Sequence, residues 1–370
     1  TNTPGGPTNT PTSTNTPGGH TNTPTNTPTP SWKNVGNAGF SAGEADLPSL
    51  SVSNGIPYVA YRDRGNGNRA TVMMYNGTGW ANVGNAGFSA GVVDSVSLYM
   101  YNGIPYVAYR DGGNGNRATV MMYNGTGWTN VGPAGFSAGE VLDPSLYVYD
   151  GKPYVAYGDG AHNYKATVMM YNGTVWTNVG NAGFSALEAH GMSLSVYEGK
   201  PYVAYGDYTT DGYGADDHEY IRVMTYNGTN WVHVGTEGFS GGEGRFPSLY
   251  VYSGIPYVAY VDDETDVPIA VMMYNGINWV HAGNEGLWGA WPSLYVYNEI
   301  PYVAYTDTGT VTGMATVNMY NGTSWIAVGT EGFSESDAFG ISLYVYNGTP
   351  YVAYRDYAHD EKVTVMKFSN

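Results

Sequence analysis

The apolar residues of this chain fall in short runs rich in β-branched and aromatic side chains, and the runs come in groups of four. In the first group they are Ser49 to Ser53, Tyr58 to Arg62, Ala70 to Tyr75 and Trp80 to Gly84. Asn54-Gly55 separates the first two, a polar stretch from Asp63 to Asn68 the next two, and Asn76-Gly77 the last two. Such runs bounded by turn dipeptides are the signature of strands and hairpins, so each group predicts a four-stranded antiparallel meander, strands a to d. In Ala70-Thr71-Val72-Met73-Met74-Tyr75 both faces are largely apolar. That pattern belongs to a sheet covered on both sides. No run carries a helical period.

The group repeats along the chain. Seven Pro-Tyr-Val-Ala-Tyr boxes begin at Pro57, Pro105, Pro153, Pro201, Pro256, Pro301 and Pro350, spaced by 48, 48, 48, 55, 45 and 49 residues. Trp32, Trp80, Trp128, Trp176, Trp231, Trp279 and Trp325 keep nearly the same beat. A period in this range means a solenoid, a propeller or an array, and blades packed between neighbours explain the doubly covered sheets. The ends decide among them. The last unit stops after its third strand, Val363 to Phe368, while Ser31-Trp32-Lys33-Asn34-Val35-Gly36 is a fourth strand with no preceding three. Joined, they complete one blade and leave no exposed sheet edge. The expected fold is therefore all-β: a seven-bladed propeller of four-stranded antiparallel blades over residues 31–370, closed by its N-terminal strand. By repeat length, blade number and closure this region resembles the highly repetitive secreted β-propellers of bacteria. The Gly-His and Trp-Asp marks of WD40 blades, the Asp-box of sialidase-like blades and the double glycine of kelch are missing. The resemblance implies a fold and a surface location, and transfers no activity.

Composition narrows the partners. A formal charge of -17 with 12% charged residues leaves no basic face for phosphate, which argues against nucleic acid. The absence of cysteine excludes disulfides, thiolate metal sites and cysteine nucleophiles. No apolar run approaches the roughly 18 residues of a membrane-spanning helix. No charged-then-apolar leader opens the chain, which begins at Thr1 and not at methionine, as after removal of a leader.

Several repeated motifs imitate functional sites. Gly39-Phe40-Ser41-Ala42-Gly43 has the Gly-x-Ser-x-Gly pattern of a hydrolase elbow, but it recurs at Gly87, Gly135 and Gly238 and no helix follows. It reads as a blade linker whose Phe wedges between blades. Asp63, Asp111, Asp159, Asp207, Asp262, Asp307 and Asp356 each stand two residues after a box. Calcium is the one cofactor they suggest, yet carboxylates spread around a ring do not converge, and closing the b to c turn accounts for them. Ser49, Ser97, Ser145, Ser193, Ser248, Ser293 and Ser342 fit a crowded innermost strand. Asn-Gly-Thr at Asn76, Asn124, Asn172, Asn227, Asn321 and Asn347 is both a glycosylation sequon and a hairpin turn, and the turn explains it.

A ligand site has to break the repeat, and the breaks cluster in blades 4 to 6 on the face carrying the b to c and d to a loops. His190, Arg245, Trp288 and Trp291 stand there in place of acids such as Glu44 and Glu140, with Tyr213 in a blade 4 insertion. Exposed Trp beside Arg and His suits a sugar or peptide platform. In the same insertion Asp211, Asp216, Asp217 and His218 are candidate ligands for a divalent cation. A glycosidase would need two carboxylates in a pocket. Asp46, Asp94 and Asp143 are the candidates, without a distinct acid and base among them.

Residues 1–30 contain 12 Thr, 7 Pro and 5 Asn. That composition makes an extended arm or an O-glycosylated stalk and buries no core. At about 3.1 Å per residue such an arm reaches about 90 Å, against a ring roughly 45 Å across. These features lead to the expectation of a non-enzymatic extracellular or cell-surface module that assembles with itself into a fibre or layer through the arm. The alternative is a lectin-like propeller that binds surface glycans.

Overall fold

The structure, a computed structural model, describes residue 1 and residues 29–209, 218–240, 242–262, 269–283 and 287–370. It is a seven-bladed β-propeller, each blade a separate four-stranded antiparallel sheet in the order a-b-c-d. Blade 1 comprises Ala45–Ser53, Ile56–Asp63, Arg69–Tyr75 and Trp80–Asn82. Blades 2 to 6 begin at Val93, Val141, Glu188, Gly244 and Gly289. Blade 7 takes Ala338–Tyr346, Thr349–Asp356 and Lys362–Ser369 from the end of the chain and Ser31–Asn34 from its start, with Ser31 opposite Ser369 and Asn34 opposite Met366. The arm expected at residues 1–30 lies almost wholly outside the described residues, and so does the blade 4 insertion.

Local chemistry sets the elements. At the a to b turn Asn54 and Gly55 have φ of 52° and 77°, the two left-handed residues of a primed hairpin turn. The c to d turn differs from expectation, since Gly77 is left-handed and Asn76 is not. There the Asn76 side chain accepts from the Thr78 and Gly79 N–H groups, an Asx turn. The repeated Asp closes the b to c loop as expected. Asp111, fully buried, accepts from Gly113 N, Asn114 Nδ2 and Thr119 Oγ1 at 3.0, 2.8 and 2.8 Å.

Three repeated contacts fasten blade to blade. The linker Phe stacks on the Trp of the following strand d, as Phe40 does on Trp80 at 3.9 Å and Phe136 on Trp176 at 3.9 Å. That indole N–H donates to a carbonyl of the preceding blade, Trp80 Nε1 to Val35 O at 2.7 Å. Blade 6 is the exception among the linkers, with buried Leu287 where the others have Phe. The third contact corrects the reading of the inner-strand serines as small packing residues. Each hydroxyl accepts from a backbone N–H of the next blade, from Leu98 N to Ser49 Oγ at 3.0 Å around to Leu50 N on Ser342 Oγ at 3.0 Å. Ser41 of the linker is likewise committed: buried, it accepts from Val363 N and donates to Gly43 O, so it is no nucleophile.

On the axis, Tyr99, Tyr147, Tyr250, Tyr295 and Tyr344 from five blades converge around a cavity of about 260 Å³ that Ser51 and Ser195 complete. Ring centroids of neighbours lie 4.5 to 4.8 Å apart. Burial and the facing hydroxyls push the Tyr99 and Tyr295 phenols well up, and burial, opposed by the hydrogen bond with Tyr295, pushes Tyr250 up to about 12.

Candidate functional site

Strand a begins four residues earlier than the apolar run suggests, at Ala45 in blade 1, and its first residues carry an irregularity. In every blade the a to b register shifts just before the repeated Ser, between Asp46 and Ser49 in blade 1. An extra residue is thereby pushed out of the ladder, a β-bulge of the kind that re-aims a side chain. The bulged positions are Leu47, Ser95, Asp143, Gly191, Phe246, Trp291 and Gly340, and together they form the mouth of a funnel on the axis with a volume of about 340 Å³. Apart from Ser95 they are left-handed, with φ of 45° at Leu47, 46° at Asp143, 54° at Phe246 and 51° at Trp291. Glycine adopts that conformation freely; for bulky side chains it is an outlier costing about 1–2 kcal/mol.

Two arcs make up the rim. Blades 7, 1 and 2 carry Arg355, Arg62 and Arg110 next to the last residue of strand b, and each reaches a carboxylate at or just before the start of a strand a, Arg355 also reaching Glu361 in its own b to c loop. Arg355 contacts Asp46 at 2.9 Å and Glu361; Arg62 lies 3.7 Å from Asp46 and 3.4 Å from Asp94; Arg110 lies 2.5 Å from Asp94 and 3.1 Å from Glu140. Arg64 adds contacts to Asp46 at 2.9 Å and Glu44 at 2.5 Å. Tyr164 donates its hydroxyl to Glu140, and with Arg110 holds that carboxyl below its ordinary range.

The other arc is aromatic. Phe246 and Trp291 lie 5.9 Å apart, Trp291 and Phe339 5.3 Å, Phe339 and Tyr357 5.2 Å. Phe246 is 45% exposed and Trp291 37%, so neither is absorbed into a blade interface. Where the first arc has Arg, the corresponding strand b positions are Gly206, Val261 and Thr306.

Of the residues singled out in the sequence, the funnel gathers Trp291 and Asp143 together with the repeated Ser49, Ser193, Ser248, Ser293 and Ser342. Trp288, 46% exposed, packs on Gly309 outside the funnel lining. His190 pairs with Glu188 at 3.1 Å and Arg245 with Glu243 at 3.4 Å, also outside the lining. Only Trp288 replaces the linker acid of other blades; His190 and Arg245 stand at the position of Asp46, and Trp291 at that of Leu47. Tyr213, Asp211, Asp216 and Asp217 lie outside the described residues, and His218 opens strand c of blade 4 with its side chain outside them. Asn76, Asn124, Asn172, Asn227 and Asn321 sit on the c to d turns, and Asn347 on an a to b turn. Phe246, Phe339 and Tyr357 were missed. For Phe246 and Phe339 a signal was present, because the residues two and three before the repeated Ser change from blade to blade while the Ser and the Pro-Tyr-Val-Ala-Tyr box are kept.

Chemically the mouth offers stacking surface with flanking hydrogen-bond groups. The candidate carboxylates Asp46 and Asp94 are shared by guanidiniums, and Asp143 accepts from Gly191 N at 2.9 Å. Asp207 is the described carboxyl that burial pushes up, but it lies beneath the surface of blade 4, accepting from Leu187 N and facing Arg222.

No family model and no curated protein matches the chain. Among solved structures it is similar to an ulvan lyase, a polysaccharide lyase of the PL25 family bound to -[GlcA(1-4)Rha3S]-, with 14% identity and a TM-score of 0.59 over 90% of this chain and 94% of that one. It is also similar to the Trypanosoma rangeli sialidase in complex with sialic acid, with 10% identity and a TM-score of 0.51 over 92% of this chain and 59% of that one. At these identities the likeness concerns the fold. It nonetheless corrects two expectations drawn from the sequence, the non-enzymatic character and the self-assembling fibre or layer. The neighbours are carbohydrate-processing propellers, so repetition and symmetry give no ground for excluding catalysis, and the glycan-directed alternative is the nearer one.

Proposed function

We propose that this propeller is directed at carbohydrate and holds a glycan over the funnel mouth against Phe246 and Trp291, at the cell surface or outside the cell. One observation carries the reading. Two large aromatic residues are held left-handed and solvent-exposed where blades 4 and 7 have Gly191 and Gly340. Folding gains little from an exposed ring in a strained backbone, and strain retained without a packing reward marks a functional position. Aromatic faces beside polar groups are what sugar rings stack on, the apolar face of the pyranose covering the ring while its hydroxyls meet the rim. The architecture shared with a polysaccharide lyase and a sialidase supports the same direction.

Isothermal titration of the full chain against a panel of oligosaccharides tests it, with Trp291→Ala and Phe246→Ala as variants. Binding that weakens in both variants while their melting temperatures hold is the expected result. Chromatography of the titrated saccharides distinguishes retention from turnover. Binding that is indifferent to both substitutions would remove the funnel from consideration.

A further inference from the structure

Resting on that reading, we infer that the funnel takes an uncharged glycan. The charged arc looks at first like a receptor for sulfate or uronate, since Arg is the residue that grips such groups bidentately. Its guanidiniums are already spent. Arg62, Arg64, Arg110 and Arg355 are matched by Asp46, Asp94, Glu44, Glu140 and Glu361, and Asp143 adds a further carboxylate at the mouth. The Nε atoms of Arg110 and Arg355 make no hydrogen bond, but both are buried away from solvent, so a ligand does not reach them.

An incoming sulfate would have to displace a carboxylate from its Arg and then sit beside it. Like charges a few ångströms apart repel. The chain as a whole carries -17, and that field opposes the approach of a polyanion. Apart from Asp143 the ring at the mouth, with Leu47, Ser95, Phe246 and Trp291, carries no charge, and below it converge the phenols of Tyr99, Tyr147, Tyr250, Tyr295 and Tyr344. Stacking surface and hydroxyls suit a neutral sugar.

The test compares neutral oligosaccharides (gluco-, xylo-, manno- and galacto-configured), sulfated and uronate-containing ones, and a polyglucosamine, each against the full chain and Trp291→Ala at low and high salt. Neutral saccharides are expected to bind with little salt dependence and to lose about tenfold or more in affinity in Trp291→Ala. Asp94→Asn, which frees part of Arg62 and Arg110, is expected to admit a sulfated saccharide that the unaltered protein refuses. If a polyanion or the polyglucosamine binds the unaltered protein in a Trp291-dependent, salt-sensitive manner, the uncharged class is wrong and the glycan reading stands. If no saccharide of any class binds in a Trp291-dependent manner, both fall together.

Discussion

The two arcs of the upper rim stand on the same scaffold and have been given opposite surfaces. Blades 7, 1 and 2 knit Arg355, Arg62 and Arg110 to carboxylates of adjoining strands, so their charge is consumed internally. Blades 5 and 6 carry the exposed rings of Phe246 and Trp291 instead, and blade 7 joins the two arcs, its Phe339 reaching Trp291 and Tyr357 while Arg355 lies over the Tyr357 ring at 5.4 Å. Beneath both arcs the Ser staples and the Trp on the linker carbonyl are unchanged. The contacts that fasten the blades are thus kept where the repeat is kept, and the proposed glycan surface lies where it is broken.

The largest effect expected is one that ignores the difference between arcs. Trp128→Ala in blade 2 and Trp279→Ala in blade 5 each remove a ring stacked on Phe, half-buried in the first case and buried in the second, and each should cost about 3–5 kcal/mol by chemical denaturation. Unequal costs would mean that the scaffold, too, differs between the arcs. Next comes the contrast itself. Trp291→Gly should weaken glycan binding by about 2 kcal/mol, the size of an interface hot spot, while stability holds or rises by up to about 1 kcal/mol as the left-handed strain is released. Calorimetry on the same sample reads both. A smaller loss, about 1 kcal/mol, is expected from Ser97→Ala or Ser248→Ala, which leave the N–H of Leu146 or Leu294 without its acceptor.

The last effect is the smallest and is a matter of sign. Glu140 is held below its ordinary 4.5 by Tyr164 and Arg110, so its contribution is present above that value and is lost as pH falls through the folded-state value. Asp207 is raised from 3.8 by burial, so it favours folding at low pH and that advantage is lost as pH rises through its raised value. Melting curves between pH 3 and 6 should therefore separate Glu140→Gln, flattened on the acid side, from Asp207→Asn, improved towards neutrality.

How much of this was legible in the sequence depends on where the determining contact lies. Strands and turns are local, Asn54-Gly55 joining residues that pair a few positions apart, and sevenfold repetition averages away any ambiguity in one copy. A linker Phe wedged between blades was legible from the recurrence of its motif, whereas its stacking on the Trp 40 residues further on, as for Phe40 and Trp80, was not. The bulge at Leu47 or Trp291 was hidden, since a register shift exists only relative to strand b. The Arg belt was hidden for the same reason, as Asp46 meets Arg355 across 309 positions of chain. What remained visible was variability, at the two inner-strand positions that change from Asp46 and Leu47 to Arg245 and Phe246 or to Phe339 and Gly340 between blades.

Ring closure by Ser31–Asn34 has a mechanical consequence. Ser31 lies opposite Ser369, so the two chain ends leave the blade at the same end of a short antiparallel pair. A pull applied to those ends loads the ladder in peeling mode, one rung after another, instead of shearing all rungs at once. The ring should therefore open at low force at this seam, and each of the other six blades, whose four strands follow one another in the chain, should resist until it is reached in turn.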